Sequence, residues 1–458
     1  MINLIILNLF QQLFLVLVGL SLLQLVNIKK RVSLFYDFPY AWGVGVVFLY
    51  LVAFPLIRFE LAPVNWYWIV FIFGLIIFTI FIYFYKKLPK LNSIKLDIRY
   101  KWYDFILLGL ILIKIFLLVY VNLVNPVVDS DASDNYRHIG LAKYIFHSYT
   151  LSDTMAYKSG QTTVLSPPIL HAWSNIFQDR WHDSIATIHY LVIFIFTLFM
   201  IMIVGLKQNI KTIWILLGIY LFSTIPLLNM HVIRPGFADI IVMYFFLLAV
   251  SVLISVFFIQ NYQFTKKTYL LSLVAILGMA MTKMEGIIWA SWFVLVLVSY
   301  YIYQQKSISW KKILLFQLVM ISFGYIVYFF SANWVLNTFD LPIRLTWLFE
   351  VKYDPKSFDM FFGFLYTWGG QGLIWWLLSI ASITIIFKSK NINHKALIIY
   401  ILILMFFIFY FANFTGNVKF TLIGTNVGRF LLQISPLIII VYYLLVHTLS
   451  ELENKKNT

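Results

Sequence analysis

The chain has 458 residues, 62% of them hydrophobic and only 11% charged, with a mean hydropathy of +0.89. Soluble domains carry roughly 25% charged residues, so this composition excludes a water-soluble globule. Cysteine is absent, which excludes disulfides, thiolate metal sites and cysteine nucleophiles, and the net charge of +16 leaves the position of the charges to separate nucleic acid from lipid as the acidic partner.

In chain order, apolar windows centred near residues 15, 49, 75, 114, 195, 220, 248, 277, 295, 322, 376, 404 and 438 predict thirteen spans. All are expected to be helices, because lipid cannot satisfy open backbone groups. The fold class is therefore an all-α polytopic membrane protein. Alternate connections separate in lysine and arginine. One set holds twenty-one basic residues, among them Lys29, Lys30, Arg31, Lys86, Lys87, Lys266 and Lys267, against five acids. The other set holds twelve basic and thirteen acidic residues, and Lys114 lies inside the fourth span. The positive-inside rule makes the first face cytoplasmic, with the N-terminus outside and the C-terminus inside. Membrane lipid accounts for the basic excess, and no nucleic acid is needed. The first apolar run lacks a basic n-region and a small-residue cleavage site, so no cleavable signal is expected. Abundant Ile, Lys, Asn, Phe and Tyr fit an A/T-rich genome and a bacterial cytoplasmic membrane.

Residues 125–184 form an outer loop far longer than packed spans need, and loops of that size carry function. It opens with Asn125-Pro126 and reads on as VVDSDASDNYRHIGLAKYIFHSY, with Asp129, Asp131 and Asp134 close together. Ser133 as N-cap, followed by Tyr136, Ile139, Ala142 and Phe146 at helical spacing, predicts a short interfacial helix. Ser166-Pro167 followed by Ile169, Leu170, Trp173, Ile176 and Phe177 predicts a second. Together they would roof a cavity near the outer leaflet. Solvation and helix capping explain three loop acids equally well, and the glycine and distal glutamate of a calcium-binding EF-hand loop are missing.

Three further outer sites break the apolar pattern. HVIRPGFAD places Arg234 and Asp239 between the sixth and seventh spans, MTKMEG places Lys283 and Glu285 between the eighth and ninth, and GRFLLQISP puts Arg429 at the head of the last. Charges in spans cost about 2.5–3.5 kcal/mol at a helix centre, so they face cavities or partners. A local Lys283–Glu285 pair, and snorkelling of Arg234 and Arg429 to lipid phosphate, are the plainer readings. Lys114 is expected to face protein. His138, His147, His171, His182, His189 and His231 fall on the outer side at spacings that match no zinc motif. Span-end tryptophans and tyrosines fit an aromatic belt, with Trp173 and Trp181 left open as a sugar platform.

With these residues in view, the chain resembles the GT-C membrane glycosyltransferases that use polyprenyl-linked sugar donors. DSDASDNYR is similar to the first outer-loop motif of oligosaccharyltransferase catalytic subunits, in which an acid, one spacer and an aspartate precede Asn-Tyr-Arg. The resemblance makes Asp131 the counterpart of the catalytic aspartate, Asp129 its acidic neighbour and Arg137 part of the motif. GFAD resembles the family's second outer loop, TKMEG its lysine-containing turn and GRFLLQISP its arginine-led last span. Coverage is about residues 104–448. Residues 1–103, three spans, have no counterpart; 104–331 would be the catalytic module and 332–458 an outer loop with the C-terminal spans. The sequon-reading WWDYG motif is absent, which disfavours transfer to asparagine.

A sugar on a lipid phosphate has a leaving group stable as an anion, so one base suffices. Asp131, or Asp129, would deprotonate an acceptor hydroxyl of a glycan or other alcohol that attacks the anomeric carbon with inversion, help typically worth about 10² to 10⁴ in rate. Arg429, Arg234 and Lys283 would receive the phosphate, with Asp239, Arg137 and Glu285 completing the substrate-binding set. A divalent metal, Mg or Mn, bridging Asp129, Asp131 or Asp239 to phosphate is left open. The alternatives are a polysaccharide polymerase or ligase, and a lipid-glycan flippase or transporter, which would carry broken helices and deep charges.

Overall fold

A computed structural model describes residues 2–27, 32–58, 61, 65–87, 101–124, 133–147, 166–233, 237–258, 264–305, 350–366, 372–415, 418–422 and 425–456. Among them all regular structure is helical apart from one antiparallel bridge between Val351 and Thr415. α1 (Ile2–Val26) and α2 (Leu34–Arg58) lie in close contact. A Cβ on Gly19 would stand 1.8 Å from the Ala41 carbonyl oxygen, so only glycine permits that approach. α3 (Trp66–Lys87) packs on this pair and leaves much of its apolar surface outward. α4 (Trp102–Val124) packs through Asp104, Ile111, Leu118 and Asn122, one stripe at helical spacing, and exposes most of the rest.

α5 (Ser133–His147), α6 (Ser166–Trp173) and α7 (Asp183–Ala186) lead to α8 (Ile188–Lys207). α9 (Thr212–Ser223) and α10 (Pro226–Ile233) form one apolar stretch bent by 62°. Pro226 has no N–H to offer the preceding turn, which accounts for the break. α11 (Asp239–Phe258) is the central helix, almost wholly buried. α12 (Lys266–Thr282) and α13 (Met284–Gln305) form a hairpin, because Tyr301 near the end of α13 returns to Phe264 just before α12, ring centroids 6.1 Å apart. α14 (Lys356–Tyr366), α15 (Gly372–Lys388), α16 (Ile392–Phe414) and α17 (Val418–Leu422) follow. α18 (Thr425–Ile434) and α19 (Leu437–Lys456) make a second bent stretch, 49°, broken at Pro436.

Among the described residues eight helices are each long and apolar enough to cross a bilayer, and counting each bent pair as one span gives ten. The protein is an all-α polytopic membrane protein. Of the thirteen expected centres, twelve fall on described helices and the one near 322 lies outside the described residues. The last span does not run straight from GRFLLQISP: Arg429 sits on the short arm α18, before the bend.

The loop helices depart from the interfacial expectation. α5 turns Ile139 and Ala142 inward, as its spacing predicts, and buries Ile145 rather than the expected Phe146. In α6, however, all eight residues are buried. It is a plug inside the bundle rather than a roof on it. Ser174, which follows it directly, meets partners from α1: Asn8 donates to its carbonyl at 2.8 Å, and Gln12 donates to its hydroxyl at 3.4 Å while accepting from the Trp42 indole at 2.9 Å. Trp173 is fully buried against Phe14, Trp66 and Phe71, with centroids 5.0–6.2 Å apart, so it is core and no sugar platform. Trp181 donates to Asp183 at 2.6 Å and meets Phe146 edge to face, ring centroids 5.7 Å apart. The N-terminal helices, which have no assigned role in the sequence, hold the plug together with α5.

Candidate functional site

Four sequence-distant segments converge on one carboxylate. Asp239 opens α11 and has no exposed surface. A buried carboxylate is tolerable only if paired, and this one is paired several times over. Lys283 donates to Oδ1 at 2.8 Å and the Arg429 Nε donates to Oδ2 at 2.8 Å. The Gln433 amide also donates to Oδ1. Its orientation is fixed, since its oxygen accepts from the Trp289 indole, a group that can only donate. His231 Nε2 stands 3.8 Å from Oδ2, and its Nδ1 donates to the Leu227 carbonyl at 2.9 Å.

Local structure explains why these groups reach. Lys283 is the single extended residue between α12 and α13, φ −160° and ψ 154°, which frees its side chain to point at α11. Gly286 makes the tight reversal possible: a Cβ there would lie 2.0 Å from the Met279 carbonyl oxygen. Arg429 and Gln433 are four apart on α18 and so share a face. The Arg429 guanidinium also lies over the Phe237 ring at 5.4 Å, a cation–π contact. Phe237 is held in turn: its carbonyl accepts from the Tyr190 hydroxyl at 3.1 Å, and its ring meets His231 at 5.0 Å.

Tyr190 also stands 3.4 Å from Nε2 of His171 on the plug. His171 donates through Nδ1 to the Ala186 carbonyl at 2.9 Å, and its ring lies 4.6 Å from that of His189. Burial pushes the His171 imidazole down to about 3, with His138 nearby acting in the same direction, so the ring is neutral. These histidines are hydrogen-bonded core residues. Among the described residues no group of three His, Asp or Glu side chains is placed to hold a metal.

Of the residues singled out from sequence, Asp239, Lys283, Arg429 and Glu285 come together, Glu285 standing 3.7 Å from Lys283. The local Lys283–Glu285 pair exists, but the shorter contact of Lys283 is to Asp239. Asp239 does not fit a divalent metal, because both its oxygens are occupied by cationic or amide donors. It positions the two cations. Asp129, Asp131 and Arg234 lie outside the described residues, and Arg137 is described in its backbone alone. The approach to that segment is described: Asn122, buried near the end of α4, donates to the Val232 carbonyl at 2.6 Å, beside His231. Gln433, Phe237, Trp289 and Asn122 were not singled out. Gln433 lies four residues from Arg429 within the same motif, a spacing that could have found it.

Comparison with family models, with curated proteins and with solved structures gives no match. What fold and site define is an all-α polytopic membrane protein with a charge cluster built around a buried, multiply paired carboxylate at one end of its bundle.

Proposed function

We propose that the protein is a membrane glycosyltransferase of GT-C type that moves a sugar from a polyprenyl-phosphate donor to an acceptor hydroxyl. The observation that carries this reading is the convergence of three separate sequence motifs, GFAD, TKMEG and GRFLLQISP, on Asp239. The tether of Asn122 to Val232 supports it further, because Asp129 and Asp131 follow Asn122 by seven and nine residues. In this reading Asp131 takes the proton of the acceptor hydroxyl, the oxygen bonds to the anomeric carbon, and the bond from that carbon to the phosphate oxygen breaks. The phosphate leaves as an anion toward Arg429, Lys283 and Arg234. The thirteen-span count, the cluster on the outer face and a bacterial cytoplasmic membrane belong to this reading, and rest on hydropathy and charge asymmetry.

The test is transfer from a synthetic prenyl-phosphate sugar by the purified chain, read by mass spectrometry. Asp131→Asn is expected to abolish transfer at unchanged protein abundance, and unimpaired transfer by that variant rejects the assigned base. A second reading, a lipid-glycan flippase, draws on the two bent spans α9–α10 and α18–α19, whose arms carry His231, Arg429 and Gln433. Lipid movement across vesicles with no covalent product would favour it.

A further inference from the structure

α4 is the least packed of the eight long apolar helices, and Lys114 sits at its middle. Lys114 is half-buried at the edge of the packed stripe, and Leu110 and Leu117, one turn to either side, are exposed. Among the described residues no carboxylate stands within ion-pair distance of it. Among the described residues no Asp or Glu falls in the middle of a helix long enough to span. Snorkelling does not solve the problem. At 1.5 Å per residue Lys114 is about 15–18 Å from either end of α4, and a lysine stem reaches only about 6 Å. Lipid phosphate is therefore out of range. An ammonium at mid-bilayer costs about 2.5–3.5 kcal/mol by insertion scales, which a carboxylate at the same depth would offset.

We infer that the α4 face of Leu110, Lys114 and Leu117 is a docking surface for a second membrane protein, whose spanning helix carries an Asp or Glu at mid-depth. A second copy of this chain docking through α4 does not meet the requirement, since it would bring another lysine and, among the described residues, no mid-span acid. The inference is independent of the proposed transfer reaction.

The test uses the full chain in phosphatidylcholine vesicles with a 21-residue polyleucine helix bearing one central aspartate. The chain has no natural cysteine, so Leu117→Cys gives a unique cross-linking position. The central-aspartate helix is expected to cross-link at least about threefold more than all-leucine or end-aspartate helices, the scale of polar contacts between spanning helices. Lys114→Leu should remove that preference with the chain still folded, and Lys114→Asp should move it to a central-lysine helix. Equal capture by Lys114→Leu, no preference in the wild type, or Lys114-dependent self-association each overturns the inference. So does retention of an anionic lipid that Lys114→Leu abolishes.

Discussion

Two ion clusters lie at opposite ends of the bundle, and they are built differently. At one end Asp37 accepts from the backbone N–H of Ser33 at 3.0 Å, while the Ser33 hydroxyl accepts from the Tyr36 N–H at 3.4 Å. This reciprocal cap is local to the first turn of α2, and Lys267 adds one tether from α12. At the other end Asp239 has little to do with its own helix start. It draws Lys283, Arg429 and Gln433 from 44 to 194 residues away and is sealed from solvent. A local cap is explained by the helix it begins. A cluster assembled from four segments at the cost of desolvating a carboxylate and two cations calls for a role beyond stability, since well-packed apolar residues hold such a place equally well.

The sharpest way to break this contrast is Asp239→Ala, which leaves Lys283 and Arg429 without their anion. A loss of about 3–5 kcal/mol is expected, read as a lower Tm in detergent. If the cluster is there for function, the triple change of Asp239→Leu, Lys283→Met and Arg429→Met should recover much of that Tm while transfer stays lost; recovery of both would make the cluster a structural ornament. Gly286→Ala drives a Cβ into the Met279 carbonyl and should cost about 1–3 kcal/mol, displacing Lys283 with the turn. At the opposite end Asp37→Ala removes a cap and should cost about 1 kcal/mol, with transfer untouched. The smallest effect is acid sensitivity. His171 is neutral when folded, with its titration lowered to about 3, whereas the unfolded ring binds a proton below about pH 6.5. Between those values the unfolded state holds the extra proton, so stability falls as pH falls, by under about 1 kcal/mol at pH 6. A Tm profile against pH checks this, and His171→Gln should flatten it.

Periodicity made most of the helices legible, because a span needs only length and apolar character, and both are local. The α5 helix was visible for the same reason: Ser133 and the Ile139–Ala142 stripe lie within one segment. The plug α6 was misread because its burial depends on Asn8 and Gln12, more than 160 residues earlier. Its own sequence mixes Ser166 and His171 with apolar positions and so looks interfacial. The bends at Pro226 and Pro436 carried a signal, a proline within an apolar run, that hydropathy windows smooth over. Within the site, Asp239, Lys283, Arg429 and Glu285 stood out as charges where charges are costly. Gln433, Trp289 and Phe237 did not, since an amide and two aromatics near a span end are ordinary until the fold aims them at one another.

The amides of α1 set an order on biogenesis. Asn8 and Gln12 are translated well before their acceptors on Ser174 and Ile185, which follow them by more than 160 residues. Until then α1 carries polar groups that hydrocarbon cannot satisfy, so it is completed only after a segment made long after it. Truncating nascent chains before and after residue 185 should therefore change how firmly α1 is retained in the bilayer.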